Sequence, residues 1–321
     1  MRAVYAARTD PDDPLSALVV GERPEPVPPP GWTTVTVRAA ALNHHDLWTL
    51  RGVGLRTEPP VVLGCDAAGV DEDGREVVVH AVVGDPAAGD GDETLDPAMS
   101  VLTEVHDGTL AERVAVPRAN LLPKPPSLSF EEAACLPVAW LTAYRMLFTK
   151  AGLRPGDRVL VQGAGGGVAT AAISLAAAAG ARVYAASRSE EKRRRALELG
   201  AALAVDAGER LPERVDVVVE TVGRATWDHS LKSVRPGGAV VVSGATSGAQ
   251  PGADLQRVFA RQIRVLGSTM GTRGELAALL RLCETTGVRP LVDSVRPLEE
   301  APQGLAAMAT GDLVGKVVLV P

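Results

Sequence analysis

The sequence predicts an α/β protein in which a doubly wound parallel sheet is inserted into a second, mostly β domain. Three observations predict it. Before about residue 120, short runs rich in β-branched residues alternate with turns. From about Ser129, short apolar runs alternate with helical stretches, the pattern of parallel strands covered on both faces. The closing Gly315–Val320 run, GKVVLV, reads as a strand with no partner nearby in sequence, so it must rejoin the first unit. The predicted boundaries are 1–121 plus 289–321 for the β-rich domain and 122–288 for the inserted one.

In the first domain Thr34–Ala40, Glu76–Val83 and Ala111–Val116 carry the strand composition. Pro24, Pro26 and Pro28 to Pro30 exclude a central strand where they fall. Gly84–Pro97 is acidic and rich in breakers and reads as a solvated loop. In the second domain six runs read as strands: Arg158–Val161, Arg182–Ala185, Leu203–Val205, Val215–Val219, Ala239–Val242 and Ile263–Leu266. Between the first two, Val168, Ala172, Leu175 and Ala179 recur at helical spacing and are expected to face the sheet. A further helix is expected over Gly274–Gly287.

Composition excludes several classes. A net charge of −6 leaves no basic footprint for nucleic acid. Four Trp, three Tyr and three Phe leave Ala, Val and Leu to build the cores. Cys65, Cys135 and Cys283 are too few and too scattered for a disulfide framework and fit a reducing cytoplasm. The longest apolar tract, Ala169–Ala181, is interrupted by Thr170 and Ser174 and falls short of the roughly 20 residues of a membrane span. The N-terminus meets Asp and Pro before a signal core can form. The expectation is a soluble, cytoplasmic protein that engages neither membrane nor nucleic acid.

The strongest local motif is Val159–Ala169, VLVQGAGGGVA, a strand entering a glycine turn that opens a helix. Gly lets phosphate approach the backbone closely, and the helix N-terminus adds free N–H donors and a favourable dipole. Ala164, Gly165, Gly166, Gly167 and Val168 are therefore expected to hold the pyrophosphate of a dinucleotide, with Ala169 at the final small position. An NAD-binding fold places a carboxylate about 20 residues on, at the end of the second strand. Here that strand ends in Ser187 and Arg188, followed by Lys192. A hydroxyl and two cations attract a 2′-phosphate, so NADP(H) is predicted over NAD(H).

With that motif in place, the chain resembles the medium-chain dehydrogenase/reductase superfamily, specifically its zinc-free quinone oxidoreductase-like branch, which includes the zeta-crystallins. The resemblance runs in order through ALNHHDLWTLRG (Ala41–Gly52), GCDAAG (Gly64–Gly69), LPVAWLTAY (Leu136–Tyr144), the glycine turn, ETVG (Glu220–Gly223), PGGAVVVSGATSG (Pro236–Gly248), LGSTMGT (Leu266–Thr272) and GKVVL (Gly315–Leu319). It implies a Rossmann sheet inserted into a GroES-like catalytic domain. It also implies that Thr142 contacts the nicotinamide end. Loops carrying Thr221, Val222, Gly244, Ala245, Thr246, Gly267, Ser268 and Thr269 would lie at the carboxyl ends of strands four to six. Lys316 either reaches the cofactor phosphates or is a surface lysine. The edge strand Arg261–Ser268 implies a homodimer.

Zinc-dependent relatives bind their ion with Cys, His and Cys; the matching positions here are Asn43, Cys65 and Val138, so no metal is expected. The four cysteines of a structural zinc lobe are also missing from Val82–Val105. An improvised site from His44, His45, Asp46 and Cys65 is the competing reading. Without a Lewis acid the natural reaction is reduction of an electrophilic acceptor, a quinone or an α,β-unsaturated carbonyl. The resemblance places Asn43 and Asp46 beside nicotinamide ribose and substrate. It puts His45 where zinc relatives carry a proton-relay Ser or Thr, against a plain hydrogen-bonded loop His. Cys65 and Asp66 line the same site, as functional groups or as wall and brace. A reductase of another carbonyl or alcohol within a biosynthetic pathway, and a low-turnover binding protein like some zeta-crystallins, are the alternatives.

Overall fold

In a computed structural model that describes all 321 residues, the chain divides into two units, Met1–Ala139 with Gly271–Pro321, and Trp140–Met270. The first opens with strands β1 (Arg2–Ala6), β2 (Leu18–Glu22) and β3 (Trp32–Ala41), and helix α1 (His44–Leu50). Strands β4 (Val61–Val62), β5 (Asp66–Asp71), β6 (Glu76–Val79), β7 (Val82–Val83), β8 (Ser100–Val101), β9 (Arg113–Pro117) and β10 (Leu121–Pro123) follow, then helix α2 (Phe130–Ala134). Along β3, Thr33, Val35 and Val37 are buried while Thr36 and Arg38 are exposed. The register with β5 shifts between Val37 and Ala39, and from there Ala39, Ala40 and Ala41 are all buried.

The second unit holds α3 (Leu141–Tyr144), β11 (Arg158–Gln162), α4 (Gly167–Ala178), β12 (Arg182–Ala186), α5 (Glu190–Glu198), β13 (Leu203–Val205), β14 (Val215–Glu220), α6 (Trp227–Ser233), β15 (Val234–Val242), α7 (Leu255–Ala260) and β16 (Arg264–Gly267). All pairings are parallel, in the order β13-β12-β11-β14-β15-β16. That is the doubly wound dinucleotide order, and all six strands fall where the apolar runs predicted. Its core includes Leu160, Tyr184, Val218, Leu231 and Val240. Helix α4 is buried without a break from Ala169 to Ala176, while Val168 and Ala179, expected on its sheet face, are half-buried.

The chain then returns to the first unit with α8 (Arg273–Thr286), β17 (Val292–Pro297), α9 (Ala301–Thr310) and β18 (Lys316–Val320). Its large sheet runs β10-β6-β5-β3-β18-β17 with β9 also on β3, beside a three-stranded sheet β2-β1-β4 and the pair β7-β8. The closing strand does rejoin the N-terminal sheet: Val318 pairs with Ala41 and Leu319 with Ala40. Val35, Leu47, Leu63, Leu110, Leu305 and Leu319 belong to the core around that sheet.

The unit boundaries differ from the predicted 121/122 and 288/289. Helix α2 packs on β3 and β5, and Arg273, opening α8, donates to the Glu93 carboxylate and the Ala119 carbonyl, so both segments join the β-rich unit. Glu76–Val83 is two strands rather than one, interrupted at the buried His80 beside Glu93. Gly84–Pro97 contains two short 3-10 turns capped by Asp85 and Asp92, and its Glu93 and Thr94 are buried rather than solvated. No helix is long and apolar enough to cross a membrane.

Candidate functional site

The polar centre of the first unit is built by three backbone features. Asn43 caps α1 and donates its N–H to the Asp46 carboxylate at 2.8 Å. Gly64 has φ +100°, and a Cβ there would lie 2.6 Å from Thr109 Oγ1, so only glycine lets the chain pass and deliver Cys65 and Asp66 inward. The β18–β3 pairing, continued by Leu42 N–H on the Val317 carbonyl, brings Lys316 beside Asn43.

The result is a closed network. Lys316 Nζ donates to the Leu42 carbonyl and Asn43 Oδ1, both at 2.7 Å, and to Asp66 Oδ2 at 2.9 Å. Asn43 Nδ2 donates to Asp66 Oδ2 at 2.8 Å and to the Ala41 carbonyl at 3.2 Å. Asp66 Oδ1 takes the Val138 N–H at 2.8 Å. Asp66 is 0% and Lys316 3% exposed. This corrects two expectations. Lys316 is neither a surface lysine nor available to phosphates, because its three protons are engaged within the unit. Both amide protons of Asn43 are also spent, which makes it a strut of the network rather than a free donor. Burial raises the Asp66 carboxyl, opposed by the Lys316 charge and the Asn43 hydrogen bond. Burial pushes Asp46 up to about 6, opposed by the Asn43 N–H, and its Oδ1 is buried with no hydrogen-bond partner.

His45 and Cys65 form a second group. His45 Nε2 lies 3.3 Å from Glu104 Oε1, and its Nδ1 lies 3.4 Å from Thr49 Oγ1 and 3.8 Å from Cys65 Sγ. The Cys65 thiol donates to the Leu102 carbonyl at 3.1 Å. Burial, with the Asp46 and Asp66 carboxylates, pushes that thiol well above its ordinary value, so it stays protonated. Burial would also raise Glu104, but hydrogen bonds from His45 and the Val101 N–H, with the Arg56 charge, hold it below the usual carboxylate range.

These donors do not fit the tetrahedral zinc of the zinc-dependent relatives. At the three matching positions stand an amide with every donor engaged, a protonated thiol and the aliphatic Val138; such a site needs three ligands, with any thiol ionised. The competing improvised set does not converge either, since no three His, Cys, Asp or Glu side chains are arranged to hold an ion.

In the second unit, Gly163 at φ +77° turns the chain out of β11, and Gly166 N-caps α4 with no side chain bonded to the helix N-terminus. Nothing lies within 4 Å of where a Gly166 Cβ would stand. Ala164, Gly165, Gly166, Gly167 and Val168 thus present an open turn at a helix N-terminus, a cradle that fits a pyrophosphate. Ser187 is buried at the end of β12 with exposed Arg188 beside it. Lys192, expected with Arg188 at the ribose end, instead lays its side chain across Gly165, its Nζ 2.9 Å from where a Cβ would be. Arg193 braces this end by donating to the Ser187 carbonyl and the Asp206 carboxylate.

The predicted loops beyond β14 and β15 are tied together: the Val222 carbonyl accepts the Ser247 N–H at 2.8 Å, and the Thr221 carbonyl accepts the Thr246 N–H at 3.4 Å. A Cβ on Gly244 would lie 3.0 Å from the Thr221 carbonyl oxygen, and one on Gly163 would lie 3.5 Å from Val222. Ala245 falls between Gly244 and Thr246, while Gly267 ends β16 and Ser268 and Thr269 follow it. Thr142 is buried in α3.

Two family profiles match the chain, "Alcohol dehydrogenase GroES-like domain" over residues 29–126 and "Zinc-binding dehydrogenase" over 167–285. The acryloyl-coenzyme A reductase of Metallosphaera sedula is 32% identical over 94% of this chain and 95% of its own length. The chain belongs to the medium-chain dehydrogenase/reductase superfamily. A solved NAD-dependent alcohol dehydrogenase of this superfamily superposes with a TM-score of 0.91 at 38% identity over 100% of both chains. The 2-octenoyl-CoA carboxylase reductase CinF, solved with NADP and 2-octenoyl-CoA, does so with 0.91 at 28% identity over 99% of this chain and 87% of its own. The superfamily makes this chain an oxidoreductase with the GroES-like and Rossmann halves that the motif order implied.

Two residues escaped the sequence reading of this superfamily member. Glu104 carried no motif. Glu220 is fully buried and accepts from the Val222 and Gly223 N–H groups, Thr226 and Ser230, fixing the turn after β14. A carboxylate closing the valine run Val217–Val219 and opening the ETVG segment was the signal available for it.

Proposed function

We propose that the chain uses NADPH to reduce the carbon–carbon double bond of an α,β-unsaturated carbonyl compound, foremost an enoyl thioester, without a metal. The observation that carries this reading is what stands at the three positions matching the zinc ligands: Asn43, locked into the Asp66–Lys316 network, the protonated Cys65 thiol and the aliphatic Val138. With no Lewis acid there, an alcohol oxygen has nothing to hold it as alkoxide. An enoyl acceptor is already electrophilic. The acryloyl-coenzyme A reductase and the 2-octenoyl-CoA carboxylase reductase among its relatives support the thioester class. When bound, the dinucleotide supplies the hydride that adds to the β-carbon. The chain's residues orient the acceptor and complete the reaction: His45, with Nδ1 free of short partners, delivers the proton. Ser187 and Arg188, with no carboxylate at the strand end, favour the 2′-phosphate.

The test is a parallel assay of chelator-washed protein. NADPH oxidation with crotonyl-CoA is expected to exceed that with benzoquinone or an aldehyde by at least tenfold in kcat/KM, with less than 0.1 equivalent of zinc bound (about one equivalent would be needed by a catalytic site). Faster turnover of NAD⁺ with an alcohol, lost on metal stripping, would instead support the alcohol-dehydrogenase reading favoured by the 38% identical structure.

We further propose a homodimer. Strand β16 is the outer strand of its sheet, Val265 on it is exposed, and Leu255 and Phe259 on α7 are about 70% exposed. An edge so apolar needs covering. Sedimentation should give a species near twice the 33.3 kDa chain mass; a species at that mass would remove the pairing.

A further inference from the structure

We infer that Glu104 is a positioning residue that decides which ring nitrogen of His45 handles the proton. The inference rests on the reductase reading for its chemistry, but its geometry stands within the first unit. The two oxygens of Glu104 have different partners. Oε2 takes the Val101 N–H at 3.0 Å and Arg56 Nη2 at 3.4 Å, while Oε1 faces His45 Nε2 at 3.3 Å. Arg56 N–H also binds the Glu104 carbonyl at 2.8 Å. The segment before it crosses the pair: a Cβ on Gly54, whose φ is +80°, would lie 3.1 Å from Glu104 Oε1 and 4.0 Å from His45 Nε2. Glu104 and His45 side chains are 16% and 20% exposed.

A carboxylate can only accept, so the His45 proton sits on Nε2 in the neutral ring. Nδ1 is then the working nitrogen. Its neighbours are long, and both direct their protons elsewhere: the Thr49 hydroxyl donates to the His45 carbonyl at 3.1 Å and the Cys65 thiol to the Leu102 carbonyl. In the reaction, hydride addition at the β-carbon sends the π pair toward the carbonyl as an enolate. The α-carbon then takes the proton from Nδ1–H of the imidazolium. The neutral ring keeps Nε2–H on Glu104, and water restores the proton at Nδ1.

Glu104→Gln tests this because it is nearly isosteric and its orientation is forced. The Val101 N–H requires an oxygen, which turns the Gln NH₂ toward His45 Nε2 and moves the ring proton to Nδ1. Long-range ¹H–¹⁵N spectra of the ligand-free protein, with the ring neutral and His45 assigned by His45→Gln, should show Nε2–H in the wild type and Nδ1–H in the variant. kcat with crotonyl-CoA should fall about 10²-fold, with KM for thioester and NADPH within twofold. A wild-type ring protonated on Nδ1, or an unchanged kcat in the variant, would overturn the assignment. A wild type inert toward enoyl thioesters sinks the reductase reading alone, and the spectra still decide the role of Glu104.

Discussion

Lys316→Met will lower the unfolding free energy by about 3–5 kcal/mol, the effect of leaving a buried charge without its partner. Asp66 is fully buried, and its Oδ2 would keep only the Asn43 amide after the ammonium is gone. The Leu42 carbonyl and Asn43 Oδ1 would lose their donor as well. A loss of this size is a large share of the roughly 5–15 kcal/mol that holds a domain together. Adding Asp66→Asn should recover more than half of it. The new amide removes the buried charge and keeps its oxygen on the Val138 N–H, and the Asn43 amide turns over so that its oxygen, freed from Lys316, accepts from the new NH₂. Urea unfolding of the two single variants and the double variant measures the coupling. A single variant within about 1 kcal/mol of wild type would mean that the ion pair is not what holds this centre together.

Ser187→Asp is expected to shift the ratio of kcat/KM for NADPH over NADH by at least about 10²-fold toward NADH. The substitution restores the carboxylate that NAD-binding folds carry at the end of the second strand. There it would repel a 2′-phosphate and accept from a 2′-hydroxyl. The strand end should tolerate it. The Ser189 N–H that now reaches Ser187 Oγ at 3.3 Å can bind a carboxylate, and Arg193 holds the backbone through the Ser187 carbonyl. Arg188→Ala should shift the same ratio less, since it removes attraction without adding repulsion. Initial rates with both nucleotides check this, and an unchanged ratio in Ser187→Asp would place 2′-phosphate recognition elsewhere in the chain.

The second unit was legible almost strand by strand because a parallel strand covered on both faces is written as an unbroken apolar run. Val159–Val161 and Val217–Val219 need no knowledge of their neighbours to be read. The boundaries were less legible for the opposite reason. Helices α2 and α8 have apolar faces, but an apolar face does not say which sheet it will cover. Within the site, Asn43, Asp46 and Asp66 stood in recognisable segments, whereas the partner of Lys316 lies 250 residues away and that of His45 lies 59 away. Such pairings follow from strand register and loop passage, which only the folded chain displays. Lys192 shows the same limit: its charge pointed to a phosphate, but only its path across Gly165 shows which part of the turn it covers.

Position-specific isotope transfer tests the central claim most directly. Chelator-washed protein is given NADPH carrying deuterium at the transferable C4 position, together with crotonyl-CoA, and the butyryl product is examined by NMR. The account predicts one deuterium at the β-carbon and a solvent-derived hydrogen at the α-carbon. A product without label, or label transfer only to a carbonyl carbon and only with zinc restored, would contradict it.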